Sequence, residues 1–211
     1  MKPGVACRWW IVAIALALCA MAGSFAFDSV VREWIVLHQT PRAVAFMRAV
    51  SRYGDWPSHI ILGALLAAIA YAKGNKQWVR ILVAMMIACA IAGAAARVVK
   101  VSVGRARPTV RADAGWNGPR LEAKYNAFPS GHTASSTAFF GVVAFAAWRI
   151  GTALLVIPLL IAFSRMYVGA HYLSDVVAAA ILGLLTAWFV ARLLSRRGAT
   201  APQTSGRIGS L

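Results

Sequence analysis

The chain is poor in acid: six aspartates and glutamates stand against 22 lysines and arginines in 211 residues. Charged residues make up 13% of the sequence, about half the roughly 25% typical of a soluble domain. So small a fraction excludes an ordinary water-facing surface. With 60% hydrophobic residues and a mean hydropathy of +0.68, it points to a bilayer as the solvent. Cysteine is scarce as well. Cys7, Cys19 and Cys89 are odd in number and show neither paired nor metal-ligand spacing, which argues against a disulfide framework. They read as small apolar residues packing between helices. There is no carboxylate cluster suited to magnesium, since Asp113 and Glu122 stand alone. The net charge of +16 comes with no nucleic-acid-binding motif. Its basic residues lie between apolar runs, where anionic lipid headgroups and phosphorylated substrates are the fitting partners.

What is present is a series of long apolar runs. A spanning helix needs roughly 20 such residues, and six segments serve: about 9–27, 57–73, 80–99, 131–148, 150–166 and 173–194. The expected fold is therefore all-α, an integral membrane six-helix bundle over residues 1–194. Pro158 inside the fifth segment predicts a kink. The run Ala88 to Ala96 supplies small residues that let helix backbones approach closely. The first segment shares features with a signal peptide, but its apolar run is longer than a usual signal core. Trp9 and Trp10 beside it read as interface anchors, so it counts as a span. Residues 195–211 form a polar tail, expected to be disordered.

Between the first two spans, Val31, Trp34, Ile35 and His38 recur at helical spacing, and after Pro41 so do Val44, Met47 and Val50. This predicts short amphipathic helices in the membrane interface, either as anchors or flanking a lipid entrance. Six crossings put both termini and two short turns on one side. That side carries Lys2, Arg8, Lys73, Lys76, Arg80, Arg149, Arg192, Arg196, Arg197 and Arg207, while all six acids fall on the other. Once the basic residues of the clusters below are set aside, the acid-free side is cytoplasmic. The long loops then face the periplasm or exterior of a bacterial inner membrane.

Three clusters lie on that outer side, each at the end of a span. Lys100 to Pro108 reads KVSVGRARP, with Arg105 between Lys100 and Arg107. It is either a solvated basic loop or a phosphate clamp, in which arginine offers a planar donor fork and lysine a point charge. Pro129-Ser130-Gly131-His132 precedes the fourth span. Ser130 is a candidate helix cap, and the helix N-terminus behind it a candidate anion site. A cap needs no histidine two positions on, whereas His132 beside a bound phosphate is placed to donate a proton. Ser164 to Asp175 reads SRMYVGAHYLSD. If the last helix has begun by then, His171 and Asp175 share a face, as a surface pair or as an orienting carboxylate and its imidazole. Ionisable residues at the edge of a span favour the second reading, and Arg165 adds a third cation.

KxxxxxxRP at 100–108, PSGH at 129–132 and SRxxxxxHxxxD at 164–175 together resemble the signature of the type 2 phosphatidic acid phosphatase and vanadium haloperoxidase superfamily, with a core of about 97–180. The resemblance implies a metal-free, cofactor-free lipid phosphatase. His171 would be the nucleophile that forms a phosphohistidine, with Asp175 orienting it. His132 would protonate the leaving lipid oxygen and later activate water. Lys100, Arg107, Ser130, Gly131 and Arg165 would hold the phosphate oxygens. Undecaprenyl pyrophosphate is the favoured substrate, followed by lipid A, phosphatidate and phosphatidylglycerophosphate. A lipid phosphotransferase would use the same residues. A transporter or binding protein would need the cations but not the two histidines. His38 and His59 lie outside the signature and read as interfacial or packing residues. The turn Tyr53-Gly54-Asp55-Trp56 faces the same side as the clusters and is either a substrate contact or a turn with an aromatic anchor, the second being the reading preferred.

Overall fold

A computed structural model describes residues 3–110 and 115–199. Among them the chain is helical apart from loops and one isolated bridge between Arg105 and Trp116. The helices are α1 (Pro3–Ala26), α2 (Asp28–Leu37), α3 (Pro41–Tyr53), α4 (Trp56–Ala72), α5 (Lys76–Val103), α6 (Gly131–Ala146), α7 (Trp148–Leu154), α8 (Val156–Tyr167) and α9 (Leu173–Ala199), with a short 3-10 turn at Ala123–Tyr125.

Local chemistry sets several of these boundaries. Thr40 accepts from the Ala43 N–H and is followed by Pro41, while Asn75 accepts from the Trp78 N–H. At the far end of α5, Gly104 takes a left-handed conformation with φ +58°. A Cβ there would also fall 1.9 Å from the Gly118 carbonyl oxygen, so glycine is required on two counts.

The central helix is α6, which packs along α5 and α9 and is buried from Thr133 to Val143. Small residues permit the approach. Ala88, Cys89, Ala92 and Ala96 of α5 are wholly buried, as the sequence predicts. On α9, a Cβ at Gly183 would come within 2.7 Å of the Ala134 carbonyl oxygen of α6. Phe139 and Phe140 cross edge to face at 5.1 Å, and His59 packs edge-on against both. His59 is thus the packing histidine the sequence suggests. His38 is exposed and stacks on Trp34.

Among the described residues, four segments are long and apolar enough to cross a membrane: α1 from Arg8, α5, α7 with α8, and α9 to Ser195. A fifth exists if α3 and α4, bent by 57°, count as one. The expected number was six; α4, with 17 residues, counts only when joined to α3, and the remaining difference lies in α6. Its 16 residues span about 24 Å, short of a hydrocarbon core of roughly 30 Å. Its Ser135, Ser136 and Thr137 are buried against neighbouring helices. The kink predicted at Pro158 appears as the break at Leu155 between α7 and α8, because proline has no N–H for the Leu154 carbonyl.

The two short helices expected over 28–56 are α2 and α3. Residues 195–199 of the expected tail continue α9, while 200–211, like Asp113, lie outside the described residues. Cys19 is exposed, not packed between helices. It lies on α1, a span with only 6% of its residues buried, whose Trp10 meets Trp188 of α9 edge-on at 4.8 Å.

Candidate active site

All three clusters arrive at one end of the bundle. The first leaves the C-terminus of α5, the second opens α6, and the third joins α8 to α9. Backbone hydrogen bonds fasten them together. The Ser130 N–H donates to the Asp175 carbonyl at 3.1 Å, the Ala127 N–H to the Arg105 carbonyl at 3.0 Å and the Arg107 N–H to the Lys124 carbonyl at 2.9 Å.

His171 and Asp175 meet, though not on one helix face as expected. α9 begins at Leu173, so His171 lies in the loop before it. Asp175, in the first turn, reaches back to accept from the Tyr172 N–H at 2.8 Å, as the third residue of a capping box does. This brings Asp175 Oδ2 to 3.5 Å from His171 Nδ1. That is long for a hydrogen bond, and such contacts commonly tighten when substrate binds. Burial pushes the His171 pKa down to about 4, opposed by Asp175 and reinforced by Lys100 and Arg165. The imidazole is therefore neutral at neutral pH and keeps a lone pair.

The cations converge beside it. A methyl group on Gly131 would sit 3.6 Å from Lys100 Nζ, so the ammonium lies against the start of α6. Lys100, Arg107 and Arg165 are close enough to feel one another's charge. Burial lowers the Arg107 pKa, with Asp175 opposing. The Nε atoms of Arg107 and Arg165 are buried and meet no protein acceptor. Arg165 donates to Ser51 of α3, a buried partner that no motif announced. Ser130 caps α6, accepting from the Thr133 N–H at 3.5 Å and the Thr133 hydroxyl at 3.0 Å. Its own hydroxyl proton remains able to donate. The capping reading holds, and it leaves room for the anion-binding one.

His132, in the first turn of α6, is within electrostatic reach of His171, Lys100 and Arg165. Its Nε2 stands 3.6 Å from Asp55 Oδ1. Asp55 also caps α4 through the Trp56 N–H at 2.8 Å. The turn predicted at 53–56 is present, but the approach of its carboxylate to His132 went unread. A cavity of about 500 Å³ runs from Lys100, Gly131 and His132 past Asp55 and Arg97 to Ala90 and Cys89.

Arg105, whose cluster the sequence left open between a solvated basic loop and a phosphate clamp, serves as neither. Its guanidinium instead donates to Asp28 at 2.7 Å, Ser174 at 2.7 Å and Asp175 at 2.5 Å. An isolated antiparallel bridge pairs its backbone with that of Trp116.

A model of the PAP2 superfamily matches residues 77–199, more than half of the chain. The chain belongs to the PAP2 superfamily. Its PAP2 segment holds α5 to α9 and all three clusters, whereas Asp28, Ser51 and Asp55 precede it. A lipid A 1-phosphatase of Rhizobium etli is 33% identical over 141 residues, covering 62% of this chain and 60% of the relative. A second, from Rhizobium johnstonii, is 35% identical over 103 residues, covering 46% and 40%. The chain thus spans about half the length of these two relatives. A decaprenylphosphoryl-5-phosphoribose phosphatase of Mycolicibacterium smegmatis is 32% identical over 140 residues, covering 65% of this chain and 71% of the relative. In fold, the PAP2 type phosphatidylglycerolphosphate phosphatase of Bacillus subtilis superposes with a TM-score of 0.69 at 20% identity, over 88% of this chain and 96% of that one. LpxE of Aquifex aeolicus gives 0.56 at 17% identity, over 79% and 95%. The PAP2 fold and several apolar helices make this a multi-pass membrane protein.

Proposed function

We propose that this PAP2 protein removes phosphate from a phosphorylated membrane lipid through a phosphohistidine on His171. The observation that carries this reading is a neutral, buried His171 backed by Asp175 and set among Lys100, Arg107 and Arg165. His171 Nε2 attacks phosphorus while the bond to the leaving lipid oxygen breaks, and His132 supplies that oxygen with a proton. Water, deprotonated by His132, then cleaves the P–N bond and yields inorganic phosphate. Lys100, Arg107, Arg165, Ser130 and the Gly131 backbone hold the equatorial oxygens as charge builds. Three fixed cations can take the place of a divalent ion, so no metal or other cofactor is needed.

The short α6 completes a six-span bundle if the membrane thins locally or flanking residues snorkel around it. The site then faces the periplasm or exterior of a bacterial inner membrane, with the lipid tail left in the bilayer. Arg97, one turn before Lys100, lines the cavity on the His132 side. It favours a leaving group that itself carries a second negative charge, as undecaprenyl pyrophosphate has. The relatives' names add lipid A as a competing substrate, and phosphatidylglycerophosphate and phosphatidate remain in the panel.

The test is phosphate release from these purified lipids in detergent, with and without strong chelator. Turnover should survive chelation and be inhibited by vanadate, which mimics five-coordinate phosphorus. Loss of activity restored by magnesium, or full insensitivity to vanadate, overturns the mechanism. Arg97→Gln should slow the diphosphate more than the monoesters, and an equal effect on all removes the argument for a diphosphate.

A further inference from the structure

Asp28 and Arg105 belong to none of the phosphate-holding residues, yet they are the most heavily bonded charges among the described residues. Arg105 bridges two carboxylates, with side-chain exposures of 11% for Asp28 and for Arg105 and 0% for Asp175. Its guanidinium carbon lies 4.4 Å from the Tyr172 ring centroid, 5.0 Å from Trp116 and 5.3 Å from Phe25. The rings fix its plane and exclude water. Asp28 Oδ1 accepts from the Ser174 N–H at 2.8 Å, and its Oδ2 from the Ser174 hydroxyl at 2.6 Å, so it also grips the first turn of α9.

We propose that Asp28 and Arg105 are positioning residues that extend the His171–Asp175 pair into a four-member chain, His171–Asp175–Arg105–Asp28. The proposal rests on His171 being the nucleophile. Asp175 Oδ1 is taken by Arg105 and Oδ2 by the Tyr172 N–H. With both oxygens tethered the carboxylate cannot turn, and the remaining acceptor capacity of Oδ2 faces His171. Arg105 gives Asp175 Oδ1 a charge-assisted hydrogen bond, which fixes the carboxylate more firmly than a neutral donor would. Asp28 in turn holds Arg105 against the attraction of Asp175 alone. Since Asp28 belongs to α2, the amphipathic segment after α1 acquires a role in orienting the nucleophile. A buried pair broken on one side leaves an uncompensated charge, so each member depends on the others.

The groups around the His171–Asp175 pair are Lys100 from α5, Arg105 and Arg107 from the loop after it, Asp28 and Arg32 from α2, His132 from α6 and Arg165 from α8. Removing one buried positive charge from this set stabilises bound protons on its neighbours; removing a negative one does the reverse.

The test compares Arg105→Gln, Arg105→Lys and Asp28→Asn with wild type in detergent. Two readouts are followed: the pH dependence of kcat and kcat/KM, and the His171 titration by nitrogen-15 NMR. Arg105→Gln should cut kcat by about 100-fold, as loss of an outer partner can, with KM changed less than about threefold. Its acid limb and its His171 titration should both move up by about one pH unit or more. Arg105→Lys keeps the charge, so the titration should stay near wild type and part of kcat should return. Asp28→Asn should move the titration the opposite way from Arg105→Gln. A wild-type titration in Arg105→Gln, or a loss confined to KM or to the folded fraction with no rescue by lysine, overturns the proposal. If Arg105→Gln does not fold, the lysine and Asp28 variants decide by the same titration. If wild type releases phosphate from no lipid, the phosphatase reading fails, while the NMR titration still decides the four-member chain.

Discussion

The hydrogen bond from the Ser130 N–H to the Asp175 carbonyl, 3.1 Å long, pins the first turn of α6 to the first turn of α9. Two helix N-termini are thereby brought to one place. Each contributes the positive end of a helix dipole, and α6 also its first N–H groups, whereas at α9 the Tyr172 and Ser174 N–H groups are taken by Asp175 and Asp28. Lys100, Arg107 and Arg165 add full charges to these partial ones. An anion is the natural occupant, and tetrahedral phosphate suits donors that arrive from several directions.

His171→Ala should abolish turnover, by roughly a thousandfold or more, since the proposed covalent intermediate forms on its imidazole. The variant should remain folded and membrane-inserted. Rapid acid-free quenching of wild type with phosphorus-32 substrate should trap label on His171, and the variant should trap none. Wild-type turnover in the variant ends the assignment.

The burial of His171 also sets a pH dependence. Attack needs the neutral imidazole, whose pKa in the folded protein is about 4. The free enzyme's kcat/KM should therefore hold on its acid side down to about pH 5 and fall through pH 4. Stability follows the same group. The unfolded chain takes up this proton near the ordinary histidine value of 6.5, the folded chain only near 4. The contribution is full above pH 6.5 and is lost as pH falls from there to about 4. A kcat/KM profile with its acid limb at pH 6.5, in a protein still folded, would mean that His171 is not shielded as the structure has it.

The parts of the fold and site legible in the sequence were those written in local pattern. Apolar runs gave the helices, Pro158 the break at Leu155, and the small residues of α5 the close approach to α6. The three clusters gave eight candidate residues that come together at one end of the bundle, because each cluster sits at a helix end marked by the edge of an apolar run. Contacts made by single residues far apart in sequence stayed hidden. Asp28 meets Arg105 across 77 positions and Ser51 meets Arg165 across 114. No periodicity encodes such pairs. The same holds for α6, whose Ser135, Ser136 and Thr137 are buried by helices distant in sequence. His171 and Asp175 were paired correctly for an incomplete reason. The four-residue spacing suggested a shared helix face, whereas the capping box at the start of α9 is what draws the carboxylate back.

Asp55 stands 3.6 Å from His132 and also caps α4. Asp55→Asn keeps a capping oxygen, since asparagine caps as well as aspartate, but removes the charge beside His132. The melting temperature should stay nearly unchanged while kcat falls by about tenfold, a share of the roughly 10² to 10⁴ that a positioned proton donor supplies. An activity equal to wild type would reduce Asp55 to a cap. A drop in melting temperature matching the drop in kcat would show that the turn, not the charge, is at stake.

The contact of α6 with α9 links packing to catalysis, because His132 rides on one helix and His171 precedes the other. At Gly183 an added methyl would fall 2.7 Å from the Ala134 carbonyl oxygen and 2.8 Å from Thr137 Cβ. Neither neighbour is the free end of a flexible side chain, so the helices themselves must part. Gly183→Ala should cost about 1–3 kcal/mol, as overpacking does, and lower the detergent melting temperature. Gly23→Ala is the matched control: a Cβ there meets nothing within 4 Å, so alanine in α1 should leave stability equal or slightly higher. Parting α6 from α9 also moves the proton donor relative to the nucleophile, and displacements near 1 Å are worth about 100-fold in rate. Gly183→Ala should therefore lose kcat well below its melting temperature, with phosphate affinity less affected than turnover. Full activity in a destabilised Gly183→Ala would show that the two histidines are held in register by the Ser130–Asp175 hydrogen bond alone.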